Sequence, residues 1–181
     1  MLLAIDIGNT NIVCAIFQDD KIIEELRIES SPESIDQFHN FTNSNIKSVI
    51  ISSVVPKLTD IYNEICTSLF HIKPFIVSYN NVPSLELDVE LPSQVGADRI
   101  CNTIAATSLY KTPCVVVDSG TAVKYDVIDK SGAFIGGAIA PGMDISARYL
   151  FKKAALLRDT AFTFPENAVG RNTETNLQSG I

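Results

Sequence analysis

The sequence predicts a mixed α/β protein in which a unit of order βββαβαβ is completed once and then begun again. Three observations carry that expectation. The chain opens with three strand-like segments in succession, the stretch from Ser30 to Ser78 alternates helix and strand patterns, and the opening "DIGNTN" returns as "DSGTAV" at an offset of 112 residues. A repeat of that period is domain-sized and excludes a short-repeat solenoid.

The elements follow in order. "MLLAIDIG", "NIVCAIFQ" and "KIIEELRIES" read as a β-meander, with Asp19-Asp20 as the turn between the second and third strands. "SPESIDQFHNF" opens with a Ser-Pro-Glu helix start, "KSVIISSVV" is a β-branched strand, "PKLTDIYNEICTSLF" is amphipathic at helical spacing, and "PFIVS" is a strand. From Asn80 to Ser93 no period is sustained, which predicts a loop or crossover. "GADRICNTIAATSLY" predicts a helix with Ile100, Ile104, Ala105 and Leu109 near one face. "CVVVDSGTAVKYDVIDKSGAFIGG" then repeats the strand-turn-strand-turn-strand pattern, with Lys130-Ser131 in the place of Asp19-Asp20. "MDISARYLFKKAALL" would be the first helix of the second copy, and a loop from Pro165 leads to a helix start over Asn172 to Gln178. No segment remains for that copy's last two strands before Ile181. The second unit therefore reads as incomplete: either the intact protein continues or this form is truncated. The expected division is a first domain over 1–112, including the crossover helix, and a partial second domain over 113–181.

Composition narrows the function classes. The chain has 181 residues, 46% of them hydrophobic, which is ample for a packed core. A formal net charge of -7, with no basic cluster longer than Lys152-Lys153, argues against nucleic acid and against anionic membrane as partners. Cys14, Cys66, Cys101 and Cys114 sit singly, without metal or redox spacing, and read as buried thiols. His39 and His71 lie in polar contexts and read as surface residues. The N-terminus enters a strand at once, with neither a basic start nor a cleavage site, and no apolar run approaches the ~20 residues of a membrane span; a reducing cytoplasm is expected.

Asp6 to Asn11 interrupts the best hydrophobic run with a carboxylate, a glycine and small polar residues. A strand that ends in Gly8-Asn9-Thr10 and re-enters at Asn11 forms a hairpin whose backbone N–H groups and hydroxyl suit phosphate oxygens, and Asp6 could hold Mg²⁺ directly or through water. A plain hairpin with Asp6 as its cap is the alternative. The recurrence in "VVDSGTA" tilts the balance, because a carboxylate at the end of a buried strand is costly and structural turns rarely need it twice. A nucleotide clamped between two related domains is the expectation, with Thr121 as the second hydroxyl and Asp118 as a cation ligand.

"DIGNTN", "GADR", "VVDSGTA" and "GGAIAPG", in this order and with the similarity running through "GRNTE", resemble the signature set of the type III pantothenate kinases. These belong to the actin, Hsp70 and sugar-kinase superfamily, so the resemblance implies duplicated ribonuclease H-like (actin-like ATPase) domains. It implies transfer of the ATP γ-phosphoryl group to the terminal hydroxyl of pantothenate, the first step towards coenzyme A. It also implies a homodimer using Mg²⁺ and a monovalent cation, K⁺ or NH₄⁺. Carried over by residue, Asp6, Ile7, Gly8, Asn9, Thr10, Asn11, Ile12 and Val13 would bind ATP phosphates, with Thr121. Gly96, Ala97, Asp98 and Arg99 would contact pantothenate, Asp98 as proton acceptor, and Thr173 matches a further substrate-binding position. Asp118 would hold the monovalent cation and Asp6 the Mg²⁺. The chemistry of "GADR" agrees: Gly96 permits close approach, the first helical turn favours an anion, and an Arg can meet a carboxylate at two points. Taken alone, Asp98 also reads as a helix cap and Thr173 as an ordinary N-cap. The glycines at 136, 137 and 142 of "GGAIAPG" match the adenosine-side motif, or else a bulge and turn.

Three features depart from the family. Gly120-Thr121-Ala122-Val123-Lys124 lacks two hydroxyls usual in the relatives, Val89 stands where a Tyr is usual, and relatives continue past residue 181. Lys124 has two readings: its ammonium reaches the cation position beside Asp118, or it faces solvent and pairs with Asp126. Strand alternation, which sets Thr121 and Lys124 on opposite faces, favours the second. Two other functions stay open: a non-catalytic regulator related to Bvg accessory factor, and a kinase for another small acid.

Overall fold

A computed structural model describes residues 1–41, 45–154, 156–157, 160–161 and 163–180. The chain divides into two compact units, the first comprising Met1–Val116 with Asp126–Gly136 and the second Val117–Tyr125 with Gly137–Ile181.

In the first unit β1 (Leu2–Ile7), β2 (Asn11–Gln18) and β3 (Lys21–Glu29) form the expected meander. The β2–β3 turn is made by Asp19 and Asp20 at φ 48° and 63°, a left-handed pair that matches the twist of a two-residue hairpin. A 3-10 turn at Pro32–Ser34 leads into α1 (Ile35–Phe41), then β4 (Ser48–Ser53), α2 (Pro56–Phe70) and β5 (Phe75–Ile76). Pro56 starts α2 at a position where its missing N–H has no partner to lose, and His71, left-handed at φ 56°, ends it. These elements make a five-stranded sheet of order β3-β2-β1-β4-β5. Tight turns leave β1, β2 and β3 antiparallel, while the helical crossovers return β4 and β5 parallel to β1. The βββαβαβ order read from the sequence is the order found, although β5 is only two residues long.

Alternation along β1 decides what each face does. Leu3, Ile5 and Ile7 are buried with Ile12, Cys14, Ile16 and Ile51 against Phe38 of α1 and Leu58, Tyr62 and Cys66 of α2. Phe38 and Tyr62 meet edge-on, ring centroids 4.9 Å apart. Asp6 falls on the opposite face, as the alternate residue of β1. That face is covered by α3 (Ala97–Leu109), whose Ala97 and Ile100 pack with Val77, Ile50, Cys101 and Ile104.

The helix expected at "GADR" is therefore present, but its buried face is Ala97, Ile100, Thr103 and Ala106. Ile104 is partly buried as expected, whereas Ala105 is exposed and Leu109 is 72% exposed. Small residues let α3 approach the sheet closely, and Leu109 lies in its last turn. The 80–93 segment is irregular apart from a 3-10 turn at Pro92–Gln94, and it is anchored where Leu87 bridges Phe134.

The second meander is β6 (Cys114–Ser119), β7 (Ala122–Ile128) and β8 (Phe134–Pro141), a three-stranded sheet of order β6-β7-β8. It reproduces the strand order that the internal repeat predicts. In the second unit α4 (Met143–Lys153) follows, then α5 (Thr173–Gly180). The expected continuation of α4 to Leu157 stops at Lys153; Ala155 and Ile181 lie outside the described residues. Of the thiols, Cys14 and Cys66 are buried and Cys101 and Cys114 half-buried, and His39 and His71 are exposed as expected. No helix among the described residues is long and apolar enough to cross a membrane.

Candidate functional site

In the first unit the β1–β2 hairpin is closed by the Gly8 N–H donating to the Asn11 carbonyl at 3.0 Å. Ser30 braces it from β3's end: its N–H donates to the Thr10 carbonyl and its hydroxyl to the Gly8 carbonyl. Asn9 and Thr10 are exposed at the tip, Asn11 and Val13 are half-buried, and Ile7 and Ile12 have no accessible surface. Of the predicted phosphate-binding residues, Ile7 and Ile12 can therefore offer only backbone.

The parallel register of β1 and β4 sets Asp6 beside Ser52, whose hydroxyl donates to the Asp6 carboxylate at 2.9 Å. Cys101, one turn along α3 from Asp98, lies next to Ser52 and within the field of both Asp6 and Asp98. Its thiol is raised above the ordinary value, chiefly by burial, which outweighs the opposing hydrogen bond with Ser52 and is reinforced by the two carboxylates. The fold thus gathers Asp6 and Asp98, distant in sequence, around one half-buried thiol.

Gly96 is the N-cap residue of α3. A Cβ there would lie 2.5 Å from an Asp98 carboxylate oxygen, so the glycine is what admits that side chain against the helix start. Asp98 accepts the N–H of Arg99 at 2.9 Å, in the first turn where exposed N–H groups favour negative charge. Ala97 is buried and Asp98 half-buried.

Arg99 points to Asp126. Its Nε and Nη2 lie 2.7 Å and 2.6 Å from Asp126 Oδ1, and its guanidinium stacks over Phe134, 4.9 Å from the ring centroid. Asp126 is fully buried, and its Oδ2 has no hydrogen-bond partner among the described residues. Buried charge of this kind is held by its partner, so Arg99 and Asp126 fix each other.

In the second unit, Gly120 N–H donates to the Ala122 carbonyl, closing the β6–β7 turn one residue tighter than the Gly8–Asn11 turn. Lys124 Nζ lies 2.8 Å from Asp118 Oδ2. The expected partner of Lys124, Asp126, is instead the partner of Arg99. Alternation misled here because Thr121 lies in the turn and not in β7, so face counting cannot start from it. Gly142, the N-cap residue of α4, is buried and donates its N–H to the Thr121 carbonyl at 3.0 Å. Any Cβ on it would collide with the Gly120 and Thr121 backbone, so α4 begins hard against the turn. Gly136 adopts φ 111°, a conformation that favours glycine, whereas Gly137 has no positive φ.

Thr173 is exposed at the start of α5. The cap is Asn172: its side-chain oxygen accepts the Thr175 N–H at 2.8 Å, and Thr175 Oγ1 accepts the Asn172 N–H at 3.1 Å. A cavity of about 350 Å³ opens beside α5 between Phe164, Arg171, Asn172 and Thr175, and none of the predicted catalytic carboxylates lines it.

Sequence reasoning missed Ser52, Cys101 and Asp126 as parts of this arrangement. Asp126 carried the same signal as Asp6 and Asp118, a carboxylate inside an apolar strand. Ser52 and Cys101 carried none, because only the β1–β4 register and the turn of α3 bring them to Asp6.

Comparison with known proteins gives one consistent answer. The family profile described as type III pantothenate kinase matches residues 2–181. A type III pantothenate kinase of Thermomicrobium roseum is 41% identical over 99% of this chain and 74% of its own length. Another, of Citrifermentans bemidjiense, is 36% identical over 100% of this chain and 76% of its own. Among solved structures, one from Campylobacter jejuni described as a Baf family transcriptional activator superposes with a TM-score of 0.60 at 23% identity, covering 99% of this chain and 73% of that one. That likeness establishes the fold.

Proposed function

We propose, since this chain belongs to the type III pantothenate kinase family, that it transfers the γ-phosphoryl group of ATP to the terminal hydroxyl of pantothenate, the first step of coenzyme A biosynthesis. The observation that carries the reading is the pair of oriented carboxylates in the first unit, Asp6 held by the Ser52 hydroxyl and Asp98 held at the start of α3 beside Gly96. Phosphoryl transfer needs little covalent chemistry from a protein: it needs an oriented hydroxyl, a proton acceptor near it, and compensation of charge on the transferring group. Asp98 is assigned as the acceptor, held at the helix start by Gly96. The hairpin from Asp6 to Val13, with Thr121, is assigned to the ATP phosphates. Gly96, Ala97, Arg99 and Thr173 are assigned to pantothenate. Because Nε and Nη2 of Arg99 already face Asp126, the substrate carboxylate would meet the Nη1 side of the guanidinium.

Asp6 fits Mg²⁺: one exposed carboxylate, oriented by Ser52, is what that ion takes from a protein when phosphates and water supply its other ligands. Bound there, Mg²⁺ would supply charge neutralisation on the phosphate oxygens. Asp118 does not fit a soluble monovalent cation in the same way, since Lys124 already lies on its carboxylate. A homodimer in the cytoplasm, with domains over 1–112 and 113–181, completes the proposal.

The test is ADP release by purified protein with and without pantothenate. Pantothenate-dependent ADP is expected, and Asp98→Asn should lower kcat by roughly 10²–10⁴-fold, the usual range for loss of a general base. ADP release that ignores pantothenate would defeat the acceptor assignment. Tight ATP binding without ADP from any acceptor would favour a ligand-binding regulator.

A further inference from the structure

We propose that Lys124 is a built-in cation of the Asp118 hairpin, so that nucleotide binding at that hairpin needs no soluble monovalent ion. The inference deepens the kinase reading and rests on its assignment of the Asp118 turn to ATP. The two copies of the acidic hairpin differ at one decisive place. Across the first hairpin Asp6 faces Val13, an apolar residue, and its carboxylate accepts the Ser52 hydroxyl at 2.9 Å. Across the second, Asp118 meets the Lys124 ammonium at 2.8 Å. The tighter turn closed by Gly120 and Ala122 brings that lysine round, and α4 abuts the same turn through Gly142.

The pair is not a loose surface contact: the Lys124 side chain is 19% exposed and Asp118 34%. An ammonium and an alkali cation carry the same charge, and both satisfy a carboxylate oxygen at close range. A second cation brought to Asp118 would be repelled by the first. The tethered group is also supplied at a fixed local concentration, whichever salt is present, because its binding is intramolecular. Phosphate oxygens arriving at the Gly120-Thr121 turn would thus find positive charge already there.

Two measurements test this, each in K⁺, Na⁺ and Tris chlorides at equal ionic strength: calorimetric affinity for a non-hydrolysable ATP analogue with Mg²⁺, and pantothenate-dependent ADP release. For the unmodified chain both are expected to vary less than twofold between the three buffers. Lys124→Met, which keeps the length without the charge, should bind the analogue at least tenfold more weakly in Tris and recover in part when K⁺ is added. Lys124→Arg should retain ion independence, which separates lost charge from lost folding. Tenfold activation of the unmodified chain by K⁺ overturns the proposal. So does a Lys124→Met protein that binds normally in Tris, or one whose loss K⁺ does not relieve. If the analogue binds but no pantothenate-dependent ADP forms, the acceptor reading fails while the ion dependence of binding still decides this proposal. Absence of analogue binding in every buffer defeats both.

Discussion

Asp126 has no accessible surface, and Arg99 supplies its charge partner through two nitrogens on a single oxygen. Removing one member of a buried pair leaves the other's charge uncompensated, at a cost of about 3–5 kcal/mol. Asp126→Ala should therefore lower the denaturation free energy by about that much in urea unfolding. Asp126→Asn keeps the shape, and it should raise KM for pantothenate more than it lowers kcat, because it frees the guanidinium that the pair orients. The thiols give a second test at this scale. Burial pushes Cys14 and Cys66 up to about 12, so both remain neutral at pH 8 and should resist iodoacetamide until the protein is unfolded. Rapid labelling of either residue in native protein, read by peptide mass mapping, would contradict the buried placement. Asp6, Asp98 and Asp118 stand out in the sequence because each lies two residues from a glycine at an element boundary. The partner of Lys124 was not: it depends on one residue's difference in turn length, which periodicity does not register.

At the scale of elements, the β7–β8 turn makes a pH prediction. The Asp129 carboxylate accepts the Ser131 hydroxyl at 2.6 Å and the N–H groups of Ser131 and Ala133 at 2.7 Å and 3.0 Å. The Ser131 hydroxyl is the main reason its carboxyl sits below the usual 3.8, with the backbone N–H bonds adding to it. A depressed folded-state value means the ionised form stabilises the turn above the unfolded pKa, and that contribution fades as pH falls through the lowered value. Asp129→Asn should thus flatten the acid limb of the stability profile below about pH 4 and leave the neutral region's slope unchanged, as thermal melts across pH would show. At α5, Asn172→Ala should cost about 1 kcal/mol of local helix stability by removing its cap. Helix α3 marks the limit of pattern reading at this scale. Its existence and start follow from Gly96 and the apolar spacing, but hydrophobicity favoured Leu109 over Thr103. The buried face is instead set by what fits against β4: Thr103 hides its hydroxyl on the Arg99 carbonyl at 2.8 Å and lies fully inside.

Across the molecule, the core is unevenly distributed. The first unit holds the contiguous cluster from Leu3 to Cys66, whereas in the second unit Ala147 is the one buried hydrophobic among the described residues. Local opening free energies follow buried apolar contact, so amide exchange should be slowest in β1, β2 and β4 and fastest in α5, which buries none of its residues. Equal protection of α5 and β1 would contradict that ordering. The repeat was the most legible large-scale feature, since strand, turn and carboxylate recur together. What covers each face was less so, because α3 reaches the sheet through an irregular crossover whose sequence has no period.

The side-by-side register of β1 and β4 carries one more consequence, for how such a chain can vary. Between the two strands the Asp19-Asp20 turn is exposed and has no direct part in the chemistry, so insertions in it should be harmless provided β4 stays in step. A single-residue slip would set Ser53 or Ile51 against Asp6, turn the serine hydroxyl away and send isoleucines outward on the wrong side. Natural variants should accordingly differ freely in that turn while never changing the phase in which β4 returns beside β1.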